Sequence, residues 1–94
     1  MKTYRSKPMT VQAEQFIDLA NPPEPVYAVS FHPIDGWRRV SNGRTIGVQW
    51  RVDSYNGPVE VSVGDFIVME PDGVRAYPCK PGVFRSRWEE APGD

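Results

Sequence analysis

The side chains that could do chemistry are few and scattered. Cys79 is the only cysteine. Beside Lys80, and just before a helix predicted to start at Pro81, its thiolate would be favoured by a neighbouring cation and by helix-terminal N–H groups. The competing reading is a small buried residue at a strand end, the usual behaviour of a free cysteine. His32, the only histidine, stands three residues before Asp35, where a carboxylate could orient and charge an imidazole for acid–base work. Phe31-His32-Pro33-Ile34-Asp35 supplies no nucleophile beside it, which favours an exposed turn histidine. One histidine and one cysteine cannot build a protein-held tetrahedral zinc site, and the carboxylates lack calcium-loop spacing. No metal or other cofactor is expected.

Trp37-Arg38-Arg39, with Arg44, Trp50 and Arg51 nearby in sequence, puts guanidinium groups beside aromatic rings that could stack on a base or a ligand. Arginine also suits bidentate contact with phosphate, so a nucleotide, a nucleic acid or an acidic protein would fit. Against this, strand alternation makes Trp50 a core residue and leaves the arginines as a solvated face. A second basic set, Lys80, Arg85 and Arg87, has Glu89 and Glu90 close enough to pair with it. Gly36, Gly43 and Gly47 match neither the Walker nor the Rossmann spacing, and no serine elbow is present, which excludes those nucleotide sites and that nucleophile. The remaining polar candidates are Asp65 and Tyr77, which with Cys79 and Lys80 are the polar remainder of the stretch from Gly64 to Pro81.

The elements that must position these groups are short strands. With 94 residues, of which ten are proline and eight glycine, the chain is long enough for one core and is cut into pieces too short for long helices. Hydrophobic content of 39% with 24% charged residues is that of a globular protein, and no apolar stretch is long enough to span a bilayer. No apolar segment of a secretory signal follows the basic N-terminus, so a cytoplasmic location is expected. The formal net charge is −1, yet Arg38, Arg39 and Arg44 cluster in one stretch, while Asp53 to Asp72 carries only acids. A chain-wide nucleic-acid field is therefore absent, and a local basic patch stays open.

Met9, Val11 and Ala13 alternate with polar neighbours as in a strand, and Phe16 breaks the phase, which a bulge near Gln15 or a short helical turn would explain. Val26 to Phe31 reads as a strand. Residues 33–43 are rich in turn signals, with a short strand around Trp37 to Val40. Ile46, Val48, Trp50 and Val52 alternate with Gly47, Gln49, Arg51 and Asp53, giving one buried and one wet face. Asn56-Gly57, both tolerant of positive φ, signals a hairpin returning through Val59, Val61 and Val63. Phe66 to Met69 is apolar throughout, as in a strand covered on both faces. Pro71-Asp72-Gly73 then turns the chain back through Val74 to Tyr77. Pro81 suits the first position of a helix, whose stripe would be Val83, Phe84, Arg87 and Trp88. Glu89 to Ala91 would extend the helix or form an edge strand, and residues 92–94 a frayed tail. The expected class is α+β, mainly β. The expected architecture is one domain over 1–94, a single antiparallel meander or partly closed barrel with one short C-terminal helix, and residues 19–44 a loop-rich insertion.

Tyr4-Arg5-Ser6-Lys7-Pro8, Val11-Gln12-Ala13-Glu14-Gln15-Phe16, Val63-Gly64-Asp65-Phe66-Ile67-Val68, Gly73, Tyr77-Pro78-Cys79-Lys80-Pro81, Phe84 and Trp88-Glu89 together resemble small phage- and prophage-encoded proteins of unassigned function. Some of those carry a Pro-Gly-Asp-Tyr-Gly motif where this chain has Val63-Gly64-Asp65-Phe66-Ile67. The segment 19–44 has no counterpart in the resemblance. What the resemblance implies is a phage source, a host-cytoplasmic location and a compact β-rich domain; it transfers no catalytic residue.

The expected function is a non-catalytic binding module acting on a host protein or on a small anionic ligand such as a nucleotide, for example as a host-directed inhibitor or a sequestrant of a nucleotide signal. Two alternatives stay open. One is a small enzyme whose site, drawn from Asp65, Tyr77, Cys79 and Lys80, is shared at a homo-oligomer interface. The other is a phage structural or assembly protein.

Overall fold

A computed structural model describes residues 1–6, 9–40 and 48–90. The strands are β1 (Lys2–Ser6), β2 (Met9–Gln15), β3 (Tyr27–His32), β4 (Gly36–Arg39), β5 (Val48–Ser54), β6 (Gly57–Val61), β7 (Phe66–Met69) and β8 (Ala76–Cys79). Helix α1 (Pro81–Arg87) and the two-residue strand β9 (Glu89–Glu90) follow. The mainly β, α+β class with one short C-terminal helix is what the alternation and the Pro81 signal predict.

The strands divide into two open antiparallel sheets and close no barrel. One sheet has five strands in the order β8-β7-β2-β1-β9, the other four in the order β4-β3-β5-β6. The expected single meander is thereby corrected: the hairpins β5–β6 and β7–β8 belong to different sheets, and the chain crosses between them at residues 62–65. Of the segment 19–44, residues 27–32 and 36–39 are strands that build half of the smaller sheet. Arg44, with Ser41 to Gly47, lies outside the described residues, as do Ala91 and the 92–94 tail.

Both faces of the five-stranded sheet are covered. Ala13, Phe66, Val68 and Phe84 of α1 form one core, with Tyr4, Val11, Tyr77, Cys79 and Trp88 packed around them. On the other face Phe16, Ile67 and Ala76 meet Val26, Val52 and Val61, with Trp50, Val59 and Met69 at the margin. The result is three layers: helix, five-stranded sheet, four-stranded sheet. This arrangement explains the broken phase at Phe16. The β2–β7 register runs unbroken from Ala13↔Val68 to Gln15↔Phe66, so there is no bulge and no helical turn. Ala13 faces the helix, and Phe16 faces the other sheet, with 0% of its surface exposed. Phe66 to Val68 is likewise buried on both sides, as a continuous apolar run requires.

Three local expectations are corrected. The β5–β6 loop is Tyr55-Asn56, because Ser54 pairs with Gly57. Only Gly57, at φ 99, has positive φ there, so the glycine opens the returning strand, as in a glycine bulge after a tight turn. Val63 is turned out to solvent in the crossing. Along α1 only Phe84 is buried and Trp88 half-buried; Val83 and Arg87 are exposed, so the stripe is one aromatic pair. Pro58 and Pro78 both lie on edge strands, β6 and β8, where a missing N–H leaves no interior ladder bond unmade.

Candidate functional site

The candidate residues lie in two places. Asp65, Tyr77, Cys79 and Lys80 sit at the end of the five-stranded sheet next to α1, where hydrogen bonds tie Asp65 into the fold and Tyr77 and Cys79 pack against the core. The Asp65 side chain is 5% exposed and accepts 2.8 Å from Lys80 Nζ. Its other oxygen accepts the Ser62 N–H at 3.0 Å. The Asp65 carbonyl accepts the Phe16 N–H at 2.8 Å, and the Phe16 carbonyl accepts the Gly64 N–H. Gln15 Nε2 donates to the Gly64 carbonyl at 3.0 Å. Asp65 is therefore the fastening of the crossing between the sheets, a structural role that its residue type in a turn foreshadows.

Cys79 and Tyr77 face α1 from β8. Burial pushes the Cys79 thiol up, only partly opposed by Arg87, with the Asp65 carboxylate adding to the rise. Burial likewise raises Tyr77, with Glu70 contributing. Lys80, which adjacency in sequence offers as an activator of the thiol, places its ammonium on Asp65 instead. A protonated, half-buried thiol is a poor nucleophile.

The second place is the outer face of the four-stranded sheet, the side turned away from the other sheet. Side chains alternate across a strand, and the registers Phe31↔Trp37, Val29↔Arg39 and Tyr27↔Arg51 put Tyr27, Val29, Phe31, Trp37, Arg39, Gln49 and Arg51 on this side. The Arg39 guanidinium lies 3.8 Å over the Tyr27 ring and that of Arg51 4.9 Å over the Trp37 ring. Trp37 meets Phe31 edge to face, with centroids 5.4 Å apart. Asp53 anchors the first pair: Tyr27 donates to it at 2.6 Å, and Arg39 lies 3.5 Å away. Burial, followed by that hydrogen bond, raises the Tyr27 phenol. Arg51 Nε donates to Gln49 Oε1. Trp37 keeps 48% of its surface exposed and Phe31 58%.

The structure thus splits the Trp37-Arg38-Arg39 trio. Arg38 points to the opposite side and pairs with Asp35 at 3.4 Å. Trp50 is on the inner face, its ring 5.5 Å from Phe16. The residues that complete the face, Tyr27, Phe31 and Gln49, were not among the sequence candidates; the signal that could have found them is their period-2 phase with Trp37 and Arg51. His32 Nδ1 accepts the backbone N–H groups of Ile34 and Asp35 at 3.2 Å, which makes it a turn-stabilising acceptor. Between α1 and the sheet an open groove of about 920 Å³ runs along Tyr4, Gln15, Phe66, Arg85 and Trp88. Its aromatic floor is the core itself: Phe66 and Phe84 stack at 4.0 Å and are 6% and 1% exposed.

Among the described residues no helix is long and apolar enough to cross a membrane. No family model, curated protein or solved structure matches the chain.

Proposed function

We propose that this chain is a non-catalytic binding module, of the phage source its sequence resembles, that uses the outer face of the four-stranded sheet to hold a small ligand combining a planar ring with an anionic group. The observation that carries this reading is the pairing of both guanidinium groups with aromatic rings, Arg39 with Tyr27 and Arg51 with Trp37. Rings that stack on a base and arginines that grip a phosphate or carboxylate are the two halves of such recognition. Holding them in place beforehand lowers the ordering cost of binding, and Asp53 and Gln49 do so here.

Titration calorimetry with nucleotides, oligonucleotides and simple aromatic acids tests the reading. At least one is expected to bind below about 1 mM, with Trp37→Ala weakening it about tenfold through lost stacking. Failure of the whole panel to bind, or an unaffected Trp37→Ala variant, would reject it.

A protein partner is the second reading, favoured by the tip of the β3–β4 hairpin, where Ile34 is 87% exposed beside Phe31 and Trp37. Aromatic residues and arginine are enriched in protein interfaces. In that case Ile34→Asp abolishes co-purification of a specific host protein and leaves the small-ligand titration unchanged. Retention of the partner by Ile34→Asp counts against it.

A further inference from the structure

We infer that the ligand of this face is a single nucleotide carrying one or two phosphate groups, and not a nucleic-acid strand; the inference rests on the reading of the face given above. The reason lies in how charge is distributed over the sheet. Alternation removes Arg38 from the face, and Asp35 holds it on the other side. Among the described residues Arg39 and Arg51 are then the cations of the face, and Asp53 and Glu60 its carboxylates. Sites for single strands track the backbone with positive charge over about 4–16 nucleotides. Each arginine also has a carboxylate beside it, Asp53 3.5 Å from Arg39 and Glu60 opposite Arg51 across the β5–β6 pair, so the face offers no run of positive charge along which successive phosphates could lie.

A single nucleotide needs only one ring and one cation. Its ring covers the exposed part of Trp37, beside Phe31. Its phosphate reaches the terminal amino groups of Arg51, which the Nε bond to Gln49 leaves free. Arg39, shared with Asp53, supplies a second and weaker contact. The two carboxylates offset the arginines, so a longer polyanion gains no further favourable contact.

The experiment is calorimetry on the full chain with the four common nucleosides, their 5′-mono- and diphosphates, and homopolymeric DNA oligomers, repeated across a salt series. Expected are a monophosphate or diphosphate that binds at least about tenfold tighter than its nucleoside, and, for the oligomers, a slope of log K against log salt no steeper than about −1.4, the value for two phosphate contacts on a single strand. Oligomers should gain only the statistical factor for their number of equivalent registers. Arg51→Gln should remove most of the gain of the phosphate over the nucleoside, and Arg38→Gln, on the opposite face, should leave affinity and salt dependence unchanged; circular dichroism confirms that both fold. An oligomer that binds more than about tenfold beyond the statistical factor, with a slope steeper than about −2, overturns the inference while leaving the face as a binding site. Nucleosides that bind as tightly as their phosphates overturn it too. Should nothing in the series bind, with aromatic acids binding instead through Trp37, the nucleotide assignment falls and the broader reading survives. If nothing binds at all, both fall.

Discussion

The two sheets differ in what their side chains are doing. In the five-stranded sheet nearly every residue of interest is tied into the fold: Asp65 is closed in by Ser62, Lys80 and the Phe16 backbone, and Cys79 and Tyr77 are drawn into the core under α1. In the four-stranded sheet the inner face is equally well packed, yet the outer face keeps two aromatic rings about half exposed beside charged partners. Unusual residue types therefore point to different things in the two places. A buried Asp at a crossing serves stability, whereas a Trp–Arg pair left in solvent is open to a ligand.

The comparison breaks first at Phe84. Phe84→Ala removes a ring 1% exposed and stacked on Phe66, and is expected to cost about 3–5 kcal/mol in urea unfolding. A loss below about 1 kcal/mol would mean that α1 does not hold this core. Asp65→Ala strands the Ser62 N–H in the crossing and should cost about 2–3 kcal/mol. Lys80→Met removes an exposed partner and should cost about 1 kcal/mol or less. If the two variants were equally damaging, the ion pair rather than the backbone fastening would be the larger contribution.

Alkaline titration sharpens the contrast. Cys79 and Tyr77 have raised folded values because burial disfavours their charged forms. The stability this represents is present below the unfolded values, roughly 8.5 for a thiol and 10 for a phenol, and is lost as pH rises through the higher folded ones. Melting temperature should therefore fall above about pH 9. Cys79→Ala should remove the earlier part of that fall, and in the unmutated chain Cys79 should label slowly at neutral pH. The smallest effect belongs to the outer face. Arg51→Gln should shift stability by no more than about 0.5 kcal/mol, its consequence appearing in binding alone. A large stability loss there would turn the face into a structural one.

The strands and the helix start were legible because their signals are local: alternation over 48–54, the doubly buried run at 66–69, and Pro81 at the head of α1. The partition into two sheets was not. A β-hairpin states its own pairing and says nothing about which sheet receives it, so β5–β6 and β7–β8 read as one meander. Phe16 carried the missing information, since an apolar residue out of phase marks a strand buried on both faces. Of the site, Trp37, Arg39 and Arg51 could be read from composition, but their separation from Arg38 needed the register of β4 on β3. Lys80 misled because adjacency to Cys79 in sequence says nothing of its ammonium, which reaches Asp65 fifteen residues away.

The crossing at residues 62–65 and its counterpart after Gln15 have a consequence for how such a molecule can vary. In chain order the whole four-stranded sheet lies between β2 and β7, which pair directly with each other. To the larger sheet, residues 16–65 are a loop whose ends are already joined. Halving or doubling a flexible loop changes its closure cost by only about 0.6 kcal/mol. The fold is thus a frame whose own pairing closes without the four-stranded panel, while that panel covers one of its faces and carries the exposed aromatic and arginine side chains.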